Sequence, residues 1–189
     1  MTLNEAFELT SAIDSFQYDK NRDLSGYEDG TENPGGQDAV DAAILQNSID
    51  GLDGSSFVAV QQWLHDFDIF DAISTDEQDN TFGRHISDNE EFDAPASAHV
   101  KRTAQEDFEP EAFIIRRSMP WVDEMEGGLI FVAFGHSFDA FEAILNRMIG
   151  KDDGIIDALF NFRRPISGAY YWCPPVKDGK LDLRALNLS

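Results

Sequence analysis

An α+β fold built on a four-stranded antiparallel sheet is what this chain of 189 residues predicts, and three observations carry that prediction. Segments rich in β-branched and aromatic residues recur at 57–64, 112–118, 129–135 and 169–173, as strands require. Helical patterning falls after the first of these and again between the third and fourth. Hydrophobic residues make up 42%, with 15 phenylalanines, enough to bury one core of this length. The resulting order is the βαββαβ of a ferredoxin-like domain, with its helices on one face of the sheet. The other face must be covered by a ligand, another domain or the long loops.

Taken in order, residues 3–13 read as a helix with Leu3, Ala6, Phe7 and Ile13 on one face. A glycine-rich loop region spans 20–55, interrupted by a short helix near 38–46. Phe57 to Leu64 alternates as a strand. Helical patterning runs from 66 to 84, and Ser74 followed by Glu77 forms a capping-box pattern that divides it into two helices. Residues 86–110 are polar and acidic and read as a long loop, a feature more often functional than not. Strands follow at 112–118 and 129–135, with Gly127-Gly128 near the turn between them. Phe138, Phe141, Leu145 and Met148 place a helix over 137–149, and a shorter one lies at 155–160. The last strand, 169–173, stops at Pro174-Pro175.

Composition excludes several functions. A net charge of −22 repels nucleic acid and anionic membrane surfaces. The single cysteine, Cys173, excludes an internal disulfide and a cysteine-based zinc site, and reads as a small buried group in a strand. The N-terminal residues lack a basic and then apolar signal pattern, and no apolar run approaches about 18 residues, so the chain reads as cytoplasmic. There is no phosphate loop, no Gly-x-Ser-x-Gly and no His-Glu-x-x-His.

Three places carry candidate chemistry. Gly26-Tyr-Glu-Asp29-Gly30-Thr-Glu-Asn-Pro34 holds Asp29 in a turn where glycines let the backbone approach a bulky ligand. His99 ends the long polar loop. Strand alternation puts Arg116 with Ile114 on one side and Arg117 with Ile115 on the other, so one arginine turns inward and needs an anion. Each has an ordinary alternative: an acidic turn, a surface histidine, a structural ion pair. Asp157, an acid on an otherwise apolar turn, wants a partner. His65, His85 and His136 are not at metal-ligand spacing and read as surface or core-edge groups, and Glu90-Glu91 and Asp152-Asp153 as solvated pairs.

Taken together, the motifs resemble the dye-decolourising peroxidases over roughly residues 14–176. Arg22 to Pro34 is similar to that family's Gly-x-x-Asp-Gly signature, Phe82-Gly-Arg84 to its Gly-Arg segment, His99-Val-Lys-Arg102 to its proximal histidine site and Ile115 to Pro120 to its distal arginine strand. Leu129–Gly135, Met148–Gly150, Asp157–Phe162 and Tyr170–Pro175 follow in the family's order. The resemblance implies a haem b peroxidase that uses hydrogen peroxide to oxidise bulky or small organic donors. It makes His99 the axial iron ligand, supported by Asp157, and Asp29 and Arg116 the catalytic pair on the distal face. Ser118 is then a second distal polar group, Arg84 a partner for a haem propionate, and Glu28, Gly30 and Thr31 the cofactor-side residues of the signature. Trp63, Trp121, Trp172, Tyr170 and Tyr171 are candidate electron relays. The alternatives are a haem-handling protein with little turnover and an apo interaction module. Family members usually carry two such halves, with the signature opening the second. Residues 1–15 accordingly read as the remnant of a preceding half and 16–189 as the haem-binding domain of a natural half-length protein, a gene fragment or a trimmed chain. A homo-oligomer, or a separate N-terminal half, is the implied partner.

Overall fold

The computed structural model describes residues 8–17 and 19–188. Its main sheet is centred on two ten-residue strands, β1 (Ser56–His65) and β4 (Glu126–Gly135), paired antiparallel. Two short strands, β2 (Ile115–Arg116) and β3 (Met119–Asp123), both pair with β4 and act as one interrupted edge strand. The other edge is β5 (Arg163–Cys173), antiparallel to β1. The spatial order β2/β3–β4–β1–β5 is the ferredoxin-like arrangement.

Helices α2 (Phe67–Ala72) and α3 (Thr75–Phe82) follow β1. They are separated where predicted: Ser74 Oγ accepts from Glu77 N at 3.3 Å while Glu77 Oε2 accepts from Ser74 N at 2.9 Å. Helix α5 (Asp139–Met148) follows β4 and lays Phe141, Ile144 and Met148 on Ala59, Trp63, Leu129 and Ala133 of the sheet. Register puts Arg116 opposite Ala133, so Arg116 joins this covered face, beside buried Ile114, while Arg117 is exposed. A second cluster, Tyr27, Phe70, Phe82, Leu159 and Phe162, closes one end of the sheet.

Two glycines are required by close approach. A Cβ on Gly128 would lie 1.9 Å from the Trp63 carbonyl oxygen, so the Gly127-Gly128 pair belongs inside β4, and the turn lies at Glu124, where φ is +52°. Gly83 ends α3 at φ +85°, and a Cβ there would meet Val100 at 2.3 Å. That contact seats the helix bearing His99 against α3.

The structure corrects several expectations. Residues 8–13 are not helical, and the rest of the predicted 3–13 helix lies outside the described residues. Leu9 and Ile13 are exposed, and a short helix without packing does not hold. The predicted 86–110 loop contains α4 (His99–Thr103) and a 3₁₀ turn at Gln105–Asp107. The short helix expected at 155–160 is a 3₁₀ turn at Ala158–Asn161, whereas the one expected near 38–46 is present as α1 (Gly36–Ala43). Beyond Pro175, β6 (Val176–Lys177) and β7 (Lys180–Leu181) form a hairpin around Asp178 and Gly179, both at positive φ. Cys173 is exposed rather than buried, because β5 is an edge strand. On the other face, Val58, Ile115 and Trp121 are buried, Val60, Leu64, Ile130, Val132 and Phe134 are half-buried, and Met119 and Tyr171 are exposed. Among the described residues, no helix is long and apolar enough to cross a membrane.

Candidate functional site

The signature loop is built by turn chemistry. Asn21, at φ +60°, accepts from Asp29 N through its carbonyl (3.0 Å) and donates its side-chain amide to Asp29 O (2.9 Å). Tyr27 stacks on Phe82 at 3.8 Å and donates its hydroxyl to Asp79. Gly30 turns at φ +75°, and a Cβ there would collide with the Asn33 side chain. Asn33 is the clamp of the site. Its Oδ1 accepts from Arg116 N at 2.7 Å and its Nδ2 donates to Arg116 O at 2.9 Å, so one side chain pairs with β2 as a neighbouring strand would. Gln105 adds a second tie, accepting from Ile114 N at 2.7 Å and donating to Glu32 O at 3.3 Å. These bonds bring Asp29 Oδ1 to 3.8 Å from Arg116 Nη1. Both side chains are mostly buried, and Asp29 Oδ2 and Arg116 Nε have no hydrogen-bond partner among the described residues.

His99 opens α4. Its Nδ1 lies 2.7 Å from Asp157 Oδ2, and Asp157 is 1% exposed. Asp157 Oδ1 accepts from Leu159 N, capping the 3₁₀ turn, and Ala158 N donates to Ser97 O, which joins that turn to α4. A carboxylate accepting from Nδ1–H fixes the ring and leaves Nε2 as the nitrogen available to a ligand.

Asp29, His99, Thr103, Gln105, Arg116, Leu129 and Arg163 all line one two-lobed cleft. Glu28, Gly30, Thr31 and Arg84 line its polar lobe; Trp63, Phe131, Phe141, Ile144 and Met148 line its apolar lobe. The structure thus gathers seven of the nine predicted site residues around one space. Asp157 stands behind His99. Ser118 is buried with an unpartnered Oγ and is not among the lining residues. Arg84 already shares Nη2 between Glu32 (2.6 Å) and Glu91 (2.5 Å) and donates Nη1 to Asn89 O. Neither acid pair is purely solvated: Glu91 holds Arg84, and Asp153 takes a two-bond contact from Arg102 at 2.8 Å.

Sequence reasoning missed a buried ionic cluster at the cleft wall. His65, expected at the surface or core edge, is 5% exposed, with Nε2 at 3.0 Å from Asp23 Oδ1. Asp23 Oδ2 also accepts from Arg163 Nη2 (2.5 Å) and Ser25 Oγ (2.6 Å). Burial alone would raise the Asp23 carboxyl, but the Arg163 guanidinium and the bonds from His65 and Ser25 hold it well below the ordinary range. Burial, with Arg163 beside it, pushes His65 down despite Asp23. The unfolded chain therefore takes up protons that the folded chain refuses. Stability is expected to fall with pH, first below the ordinary histidine value of about 6.5 and again below about 3.9 for Asp23. Urea unfolding at pH 7 and pH 5 measures the first step; an equal midpoint at both would refute it. Asp23→Asn at pH 7 leaves Arg163 charged and unpaired and is expected to cost about 3–5 kcal/mol.

Comparison with known proteins shows the family. The family described as Dyp-type peroxidase, C-terminal, matches residues 20–178. The dye-decolorizing peroxidase of Rhodococcus erythropolis is 34% identical over 176 residues, 89% of this chain and 52% of that protein. That of Mycolicibacterium paratuberculosis is 33% identical over 178 residues, 90% of this chain and 50% of that protein. The chain therefore spans about half the length of the curated relatives it matches. Among solved structures, a dye-decolorizing protein from V. cholerae superposes with a TM-score of 0.78 at 31% identity, covering 85% of this chain and 54% of that one. A variant of Rhodococcus jostii RHA1 DypB in complex with heme gives 0.79 at 31% identity, covering 86% and 55%. A signature loop clamped to an arginine strand, facing a carboxylate-backed histidine, thus sits in a chain that belongs to the Dyp-type peroxidase family, in its C-terminal half.

Proposed function

We propose that the chain binds haem b in the cleft, with His99 as the iron ligand, and uses hydrogen peroxide to oxidise organic donors. One observation carries this reading: Asp157 fixes His99 on a cleft that also holds the unpartnered Asp29 Oδ2 and Arg116 Nε. Buried polar atoms ordinarily have partners, so these two await a ligand. The apolar lobe suits the haem ring. Cys173 lies outside the cleft lining, which supports a tetrapyrrole held without thioether attachment.

Bound haem supplies the redox chemistry that reduces peroxide to water. The chain's own residues manage protons and charge. With haem bound, Asp29 Oδ2 would accept a proton from one peroxide oxygen and return it to the other as that one leaves. Arg116 faces the negative charge that develops on that departing oxygen. Asp157 keeps His99 oriented and electron-rich. Ser118 would be a second polar group on this side, and Glu28, Gly30 and Thr31 would hold the cofactor from the polar lobe. Arg84 meets a propionate at the rim by exchanging away Glu32 or Glu91. Small donors enter the cleft; bulky ones react at exposed Tyr170 or Tyr171. Haemin titration of the purified chain tests the reading: a saturable Soret band and peroxide-dependent donor oxidation are expected, and no Soret band refutes it. A band without oxidation selects the haem-handling alternative.

Residues 16–189 form the haem-binding unit of this proposal. Its half-open sheet face is the surface for a second copy or a separate N-terminal half. Because the chain carries −22, added salt strengthens self-association. Sedimentation at low and high salt checks this; a monomer throughout contradicts it.

A further inference from the structure

Arg163 has no part in the proton and charge handling above, yet it lines both lobes of the cleft. It is 7% exposed, and its Nη2 is held by Asp23 and Ser25. Its Nε is buried with no acceptor among the described residues. Asp23 cannot supply that acceptor without giving up others, because its two oxygens already serve His65, Ser25 and Nη2. The guanidinium lies over the Phe82 and Phe162 rings at 5.1 and 4.9 Å, which fixes its plane. A fixed guanidinium beside a ligand cleft, with one buried N–H unmet, suits a carboxylate.

We propose that Arg163 forms an oxyanion subsite that takes a carboxylate inside the cleft, the inner propionate of the tetrapyrrole. This rests on the haem reading. The two propionates of haem leave one edge of the ring, so their partners must lie near each other. Arg163 covers Phe82, and Arg84 is two residues beyond it in sequence; both line the polar lobe. Arg84 is occupied by Glu32 and Glu91 and sits at the rim, whereas Arg163 is buried and has an unmet donor. The Asp23 partner holds the guanidinium in place, so an incoming carboxylate meets a preorganised donor rather than a mobile cation.

The test compares haemin with haemin dimethyl ester, whose carboxylates are masked, by Soret titration of the apo chain. The unmodified chain is expected to prefer haemin by about tenfold or more, the worth of one charge-assisted hydrogen bond. Arg163→Gln is expected to weaken haemin by about tenfold and leave the ester unchanged. If Arg163→Gln does not fold, Asp23→Asn/Arg163→Gln, which leaves no unpaired charge, takes its place. Preference for haemin retained in full by the variant overturns the subsite. If neither tetrapyrrole binds the unmodified chain, the haem reading falls separately. ¹³C-acetate then probes the subsite: amide shifts near Arg163 that vanish in Arg163→Gln support a site for free carboxylates, and their absence overturns it.

Discussion

His99→Ala is expected to abolish the axial imidazole spectrum of the haem-loaded chain and to lower haem affinity by more than any other single change. The substitution removes the nitrogen donor proposed for iron and also leaves Asp157 buried without its partner. An unsatisfied buried carboxylate costs about 1–3 kcal/mol or more, so some loss of stability accompanies the spectral change. Adding free imidazole separates the two effects. It should occupy the vacated volume, bond to Asp157 and restore much of the Soret band. An unaltered Soret band in the variant, without imidazole, would show that His99 is not the ligand.

The second large effect is kinetic. Asp29→Asn and Arg116→Leu are expected to retain haem while slowing its reaction with peroxide about 10²–10³-fold each, the usual loss on deleting one preorganised polar group. Retention follows from the way the loop is fastened. Asn33 grips the backbone of Arg116, not its guanidinium, so the clamp survives loss of the side chain. Asp29 likewise holds Asn21 through its main chain. The effects should not add, because the two side chains act on the same proton and charge transfer. Stopped-flow mixing with peroxide measures the rates; wild-type values in both variants would remove these residues from the reaction.

The legible parts of this protein are those with a local period. Alternation in β1, the Ser74–Glu77 box and the opposite facing of Arg116 and Arg117 each depend on residues within a few positions of one another. The unread parts depend on partners far apart. Asn33 meets Arg116 across 83 residues, His65 meets Asp23 across 42, and Arg163 meets Asp23 across 140, separations that leave no spacing signal in one chain. Helix α4 has five residues, too few for a hydrophobic stripe. Strand β5 runs for eleven, but Pro165 and Gly168 break its strand pattern, and the register shift opposite Gln62 and Trp63 disguises it further. The resemblance located His99, Asp29 and Arg116; the geometry that orients them came from glycine turns and amide clamps.

Asn33 also ties the order of assembly to the appearance of chemistry. The acid-bearing loop lies before the first strand of the sheet, and the arginine it grips lies on the far edge, beyond β1, α2, α3 and α4. A contact of that sequence separation closes late, after local helices and hairpins have formed. On the proposed reading, a porphyrin captured before that closure would meet His99 without the facing Asp29 and Arg116.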